Sequence, residues 1–561
     1  MAKLPTREHE MTGADLVARI LKQEGVDFMG VIPFNSLEEA AAKAGIRPLI
    51  FRQERVGVNL ADAYTRVTNG RGTGVFSMQA GPGAENAFAG VAQAYADSVP
   101  ILLLPASAPR NRAGVHPTFS PSRTYESVVK WSGRIELPEE IPNALRRAFS
   151  QLRMGRPSPV LLDLPSDILR GELSNGDAPY MPVQQRRSAG DPQDVSDAAK
   201  ILIGAQNPVI HAGQGVLYAE AWDELRELVE LTQTPVMTSM AGKSSFREDH
   251  PLSLGTRSST TTGMVVHFLD KADVVFGIGC SFTRMHYGAD LFDSKVLVHV
   301  TNDENDVNKD YSPDVAVVGD AKLVMRQLID EIKAMLAENG SARVERGDVA
   351  GEVKAVRDEW MQDWLPKMHS DATPINPFRA LNDLSKAIDH KKTIMNHDSG
   401  SPRDQMIPFY QTVTPRGFIA WGKSTQLGYS LGAAMGSKLA APDKLCVNVI
   451  GDYGFGMVGT DLETAVREEI PILTIVLNNS SMGIYRPEHF ATAHELYGTK
   501  TTGGDFVKMA EALGAHSERV TQPEDVVGAV QRCAGIVESG QTALLEIVTD
   551  ADEKDMPFRQ F

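Results

Sequence analysis

The sequence predicts an α/β protein of three doubly wound parallel-sheet domains. Strand-length apolar runs alternate with amphipathic helical stretches along nearly the whole chain. Three polar or turn-rich stretches interrupt that alternation, and 561 residues correspond to roughly three to five domains of about 100–200 residues each. In the first domain, 1–183, Thr12 and Asp15 start a helix that carries Leu16, Val17, Ile20 and Leu21 on one face and ends at Gly25. Strand candidates Asp27–Ile32, Pro48–Phe51, Gly74–Ser77 and Pro100–Pro105 follow, with helices at Gly57–Thr68 and Ala84–Asp97, and the unit closes near Pro159–Pro165. Val183–Asp194 reads as a linker.

A central domain, 190–355, carries strand candidates Pro208–His211, Pro235–Thr238, Val274–Ile278 and Val296–Val300. Its His211–Gly215 lacks the full dinucleotide spacing and reads as a plain turn. Glu338–Lys354 and Pro366–Pro377 separate it from a third domain, 370–561, with strands at Cys446–Ile450, Ile472–Leu477 and Ala543–Val548 and a helix from Thr460 to Glu468.

Composition narrows the function. Asp and Glu number 72 against 56 Lys and Arg, a net charge of −16 with no basic stripe, which argues against a nucleic-acid partner. The polar start MAKLPTREHEM and the lack of an apolar run of about 18 residues argue against export or membrane insertion, so a cytoplasmic location is expected. Cys280, Cys446 and Cys533 are widely separated and read as buried thiols.

The strongest chemical signal is Gly451-Asp452-Tyr453-Gly454, followed after a helix and a strand by Asn478-Asn479-Ser480-Ser481. Both pieces lie just beyond predicted strands, where a doubly wound sheet opens its ligand crevice. Asp452 Oδ, Asn479 Oδ and the Ser481 carbonyl are the kinds of oxygen that hold Mg2+ against a diphosphate, and the glycines let backbone approach the phosphates. Near the other end stands Arg52-Gln53-Glu54-Arg55, then Gly81-Pro82-Gly83.

This order of motifs resembles the thiamine-diphosphate-dependent enzymes, acetolactate synthase-like branch, large catalytic subunits in particular. Asp97-Ser98-Val99-Pro100, Gly155–Val160 and Glu248–Gly255 extend the resemblance across nearly the whole chain. It implies pyrimidine-binding, central and diphosphate-binding domains, thiamine diphosphate and Mg2+ as cofactors, and a homodimer or homotetramer with active sites between subunits. Glu54 becomes the acid that shares a proton with the pyrimidine ring. Cofactor contacts fall on Gly81, Pro82, Gly83, Thr425, Leu427, Gly451, Asp452, Tyr453, Gly454, Asn479, Ser481 and Met482. Within Gly422–Gly428 the Thr425 carbonyl would accept from the cofactor amino group, and Leu427 would wedge its two rings apart.

Tyr453 stands where the family has a second glycine, Phe119-Ser120 where acetolactate synthases have Phe-Gln, and Phe34-Asn35 where they have Gly-Gly. No His-His pair occurs. The implied activity is therefore a carboligase or lyase acting on a 2-oxo acid or related 2-hydroxyacyl compound through a ylid and an enamine-like carbanion, rather than authentic acetolactate synthesis. An aldehyde or a second oxo acid captures that carbanion, or a proton does. Alternatives are a 2-hydroxyacyl-coenzyme-A or oxalyl-coenzyme-A type lyase, a flavin-bearing oxidase relative, and a non-catalytic binding or regulatory member. Substrate-facing candidates are Phe34, Asn35, Gln79, His116, His397, Ser401 and Tyr485. The tail Met556–Phe561 is a candidate lid.

Overall fold

The computed structural model describes residues 11–34, 36–173, 179–284, 292–339, 344–482, 487–498, 502–553 and 555–557. Asn35, Tyr485 and the tail beyond Pro557 lie outside the described residues. The chain forms two compact units, Met1–Arg186 and Arg187–Phe561.

The first unit holds one six-stranded parallel sheet in the order Arg47–Ile50, Phe28–Val31, Val75–Gln79, Leu102–Ser107, Val160–Pro165, Trp131–Arg134. The helix Gly13–Gln23 opens on a capping box: Asp15 N donates to Thr12 Oγ1 (3.2 Å) and Thr12 N to Asp15 Oδ2 (2.9 Å). Its Leu16, Val17, Ile20 and Leu21 are buried in one core with Leu104, Phe149 and Leu162. A second helix, Glu54–Val67, carries a buried ionic knot. Arg66 Nε donates to Asp62 Oδ1 (2.6 Å), Arg66 Nη2 reaches Asp97 Oδ2 (3.3 Å), and Gln93 Nε2 donates to the same Asp97 oxygen (2.6 Å). Asp97 begins the Asp97–Pro100 motif, whose Ser98 is left-handed (φ 59°) and accepts from Arg156 Nε (2.8 Å). These motif residues hold the sheet's connections in place. Arg66→Leu strips two buried carboxylates of their shared cation and is expected to cost about 3–5 kcal/mol, read as an earlier transition in urea.

The second unit holds two more six-stranded parallel sheets. The central one runs Val315–Val318, Val296–Thr301, Val274–Ile278, Pro208–Ala212, Val236–Ser239, Ser253–Arg257, and the other runs Phe418–Ile419, Thr393–His397, Leu445–Gly451, Leu473–Asn478, Ala543–Val548, His516–Val520. The His211–Gly215 turn is spent on packing: Gly213 N donates to Ile278 O and Gly215 N to Gly279 O (2.8 Å each), and a Cβ on Gly213 would meet Gly279 O at 2.2 Å. Glu248 joins the two sheets. Its carboxylate accepts from Lys243 Nζ (2.6 and 2.7 Å), Thr256 Oγ1 (3.1 Å), and both Thr412 N (2.7 Å) and Thr412 Oγ1 (3.1 Å).

The expected separators are narrower than their polarity suggests. A 20-residue helix, Val349–Met368, bridges them and takes in the end of the first and the start of the second, capped where Asp348 Oδ1 accepts from Gly351 N (2.8 Å). Val349, Val353, Trp360, Trp364 and Met368 are its buried stripe, and Pro366 is accommodated in the last turn. In the tail, Thr261 N donates to Pro557 O (3.2 Å), so this part of it is pinned to the central layer. Cys280, Cys446 and Cys533 are free and buried, and desolvation pushes each thiol up to about 12. Among the described residues, no helix is long and apolar enough to cross a membrane.

Candidate active site

In the first unit the chain turns at Gln53, in extended backbone, and Glu54 becomes the first residue of its helix. Glu54 is 6% exposed, and desolvation holds its carboxyl above the ordinary value, opposed by its own backbone N–H and by the Asn86 side chain. The Gly81-Pro82-Gly83 turn starts the helix Pro82–Ala96, and a Cβ on Gly83 would stand 3.4 Å from Glu54 Oε1 and 3.2 Å from Gln79 Cβ. Glycine at 83 therefore leaves room beside the acid. Tyr125, fully buried, donates to Ala84 O and packs on Phe88 (5.3 Å), and burial, then the Glu54 charge, keeps its phenol protonated. Glu54, Gln79 and Gly83 are thus brought together. Phe34 (56% exposed) and His116 are exposed and, among the described residues, make no hydrogen bond or ring contact with that group.

In the second unit, Gly451 ends one strand and Asp452 begins the helix Asp452–Val458. Asp452 Oδ1 accepts from Tyr453 N (2.8 Å) and Oδ2 from Thr502 Oγ1 (2.8 Å). The backbone of Ser480 also bonds this carboxylate, which ties the Gly-Asp turn to the Asn-Asn turn. The latter is self-braced: Asn479 Oδ1 accepts from Ser481 N (3.0 Å), Asn478 Nδ2 donates to Glu546 Oε1 (2.7 Å), and Ser480 adopts φ 53°. Met482 is exposed at the end of the turn. Asp452 is only 4% exposed, its carboxyl is raised mainly by desolvation, and among the described residues no cationic side chain pairs with it. A buried, hydrogen-bonded carboxylate without a counter-cation, with Asn479 Oδ1 and the Ser481 carbonyl in the adjoining turn, is a donor set that suits a divalent ion.

The Tyr453 departure has a local explanation. Tyr453 is 38% exposed, whereas a Cβ on Gly454 would come within 3.0 Å of Asp398 Oδ1. The glycine is needed at 454. Asp398, fully buried, accepts from Gly428 N (3.0 Å), Ser430 N (3.0 Å) and Ser430 Oγ (2.8 Å), and so holds the Gly422–Gly428 loop against the Gly-Asp turn. Within that loop Thr425 sits at φ 57°, a conformation that a β-branched residue adopts at a cost, and Leu427 is half-buried. Asp398→Ala leaves three donors without their acceptor and is expected to cost about 1–3 kcal/mol in thermal unfolding and to loosen cofactor binding.

The ring of His397, expected to face substrate, is fully buried and stacks on Trp421 (5.6 Å, 6°); Nδ1 lies 3.0 Å from Asp398 O, and Nε2 accepts from Trp421 N (3.4 Å). Ser401, half-buried, starts the helix Ser401–Met406. Asp398, Thr502 and Asn86 were missed. Asp398 lies between the two candidates His397 and Ser401, and its position after a strand end is the signal the sequence offers.

Comparison with known proteins bears on both groups of residues. Residues 11–126 match the thiamine pyrophosphate enzyme N-terminal TPP binding domain, 195–328 the central domain, and 398–547 the C-terminal TPP binding domain. A probable acetolactate synthase large subunit of Methanocaldococcus jannaschii is 30% identical over 567 residues, covering 97% of this chain and 93% of that protein. The chain belongs to the thiamine pyrophosphate enzymes, acetolactate synthase-like branch. The glyoxylate carboligase of Escherichia coli O157:H7 is 28% identical, covering 94% of this chain and 91% of its own. An acetolactate synthase of Mycobacterium bovis is also 28% identical, with 98% and 90% covered. Each matched domain falls on a different one of the three parallel sheets, and the chain is a thiamine-diphosphate-dependent enzyme.

Proposed function

We infer that the protein is a carboligase or lyase that takes a 2-oxo acid as donor and an aldehyde or second oxo acid as acceptor, and that it is not an authentic acetolactate synthase. The observation that carries the cofactor assignment is the joining of the Gly451–Gly454 and Asn478–Ser481 turns through the buried Asp452. Thiamine diphosphate, when bound, supplies a nucleophilic carbon and an electron sink for the carbanion left beside the carbonyl. Asp452, Asn479 and the Ser481 carbonyl would hold Mg2+, and Gly451, Tyr453, Gly454 and Met482 would line the diphosphate. The Thr425 carbonyl would accept from the pyrimidine amino group, and Leu427 would pack against the cofactor. Glu54 exchanges a proton with the pyrimidine nitrogen; its desolvation favours the protonated form that this exchange uses.

On this reading the domains are 1–183, 190–355 and 370–561, the enzyme is a cytoplasmic homodimer or homotetramer, and Glu54 of one subunit serves the diphosphate site of another. Gln79, beside Gly83, faces substrate, and Phe34, His116 and Ser401 are further substrate-facing candidates. Phe119-Ser120 and Phe34 support a substrate other than that of acetolactate synthases, and the relative named glyoxylate carboligase is as similar, at 28% identity, as the acetolactate synthase of Mycobacterium bovis. Calorimetric titration with thiamine diphosphate, with and without Mg2+, followed by a screen of 2-oxo acids for carbon dioxide release and aldehyde capture, tests the proposal. Mg2+-dependent binding with release from one oxo acid is expected. Acetolactate formation from pyruvate at a rate above all other pairs would overturn the substrate assignment.

A further inference from the structure

The second unit contains a cavity of about 260 Å3 between the central sheet's helical layer and the third sheet's. Trp360 and Phe409, stacked on one another (5.1 Å, 7°), form one wall, and Met264, Met361, Met368 and Met406 supply adaptable thioether surface. An apolar cavity of about 150 Å3 already admits benzene, so this one has room for a ring with a substituent. Three polar groups in its lining are incompletely satisfied. Gln405 is 3% exposed, lines the cavity, and its carboxamide has no hydrogen-bond partner among the described residues. The Tyr410 hydroxyl is buried without a partner. Arg357, one turn before Trp360, gives Nη2 to Ser253 O (2.9 Å) and makes no other bond among the described residues. The acidic group present, Glu248, is neutralised by Lys243 and saturated by Thr256 and Thr412, so it does not repel an anion.

We propose that this cavity is a second small-molecule site, which takes a compact organic acid with an aromatic or branched apolar body. The body lies against Trp360 and Phe409, the carboxylate meets Arg357, and Gln405 and Tyr410 find their missing partners on the ligand. Such a site is placed to act on the reaction centre. Gln405 and Met406 end the short helix that Ser401 begins, and on that helix Arg403 Nη1 lies 3.7 Å from where a Cβ on Gly422 would be, at the start of the Gly422–Gly428 loop.

Phenylacetate is a suitable probe, since it has the ring and the acid but no 2-oxo group to react. Full-length protein saturated with thiamine diphosphate and Mg2+ is titrated calorimetrically. One site per chain is expected, with phenylacetamide bound at least tenfold more weakly and phenylacetate lost in similar measure from Arg357→Gln. Met361→Trp, which fills the cavity, should abolish binding while thiamine diphosphate affinity is retained, and that retained affinity certifies the fold of both variants. Absence of binding to the wild type, equal affinity for acid and amide, unchanged binding to Arg357→Gln, or displacement of phenylacetate by thiamine diphosphate would each overturn the proposal. Should Arg357→Gln fail to fold, the acid–amide comparison on the wild type decides alone.

Discussion

Glu54→Gln is expected to abolish exchange of the thiazolium proton for deuterium and to lower kcat by about 10^2–10^4-fold, while thiamine diphosphate affinity changes only a few-fold. Affinity is spared because the diphosphate and metal contacts are assigned to Gly451–Gly454 and Asn479–Ser481, far along the chain from position 54. The same substitution has a stability signature of opposite sense. The folded Glu54 carboxyl lies above its ordinary value of 4.5 because burial disfavours the charge. A raised acid favours folding below its unfolded value, and that contribution is lost as pH rises through the folded value. At pH 7 the wild type therefore carries a desolvated charge that the glutamine variant lacks. The cofactor-free variant should melt at a higher temperature than the wild type at pH 7–8, and the difference should shrink towards pH 4. A variant that keeps proton exchange removes Glu54 from the mechanism. A variant that loses exchange and melts lower at neutral pH would mean that Glu54 is a structural acid.

The contrast between what was legible in the sequence and what was not follows from how each residue earns its place. Strands such as Val75–Gln79, Leu102–Ser107 and Leu473–Asn478 are near-continuous apolar runs because helices cover both faces of a parallel sheet, and that pattern is local. The strand Thr393–His397 is equally buried but contains Asn396 and His397, whose polarity is neutralised by distant partners: Asn396 Nδ2 donates to Val447 O (3.2 Å) and Ser437 Oγ donates to Asn396 Oδ1 (3.0 Å). No local pattern marks such a strand. The helix Val349–Met368 escaped notice because its apolar stripe is one residue wide and most of its surface is charged. At the site, Asp452, Asn479 and Glu54 were legible through short motifs, since their chemistry needs fixed neighbours. Thr502 bonds Asp452, Asn86 bonds Glu54, and Asp398 stands against Gly454 while it holds Gly428 and Ser430; all three are distant in sequence from what they support, and only the fold brings them together.

Asp452→Ala is expected to weaken thiamine diphosphate binding by about 100-fold or more and to leave what remains indifferent to Mg2+. Loss of a group that merely orients a metal ligand costs about 10–100-fold, so loss of a ligand itself costs at least the upper end of that range. Thr502→Val, which removes one hydroxyl from Asp452 Oδ2 and leaves the carboxylate in place, should fall within that 10–100-fold range and keep its Mg2+ dependence. The pair separates two accounts of the buried acid. If Asp452 holds a cation, the alanine variant alone becomes insensitive to chelator, because it has lost the charge that the ion neutralises. If Asp452 instead only braces the Asn-Asn turn through Ser480, both variants weaken binding while wild-type sensitivity to chelator persists in each. The cofactor-free protein offers an independent check of sign. Desolvation raises the Asp452 carboxyl, so the folded state carries an unfavourable charge at neutral pH, and Asp452→Asn should hold or raise the melting temperature at pH 7 while it impairs the holoenzyme. A carboxylate that destabilises the empty protein and is required once the cofactor is present is the pattern that a metal ligand produces, and one that a bracing residue does not.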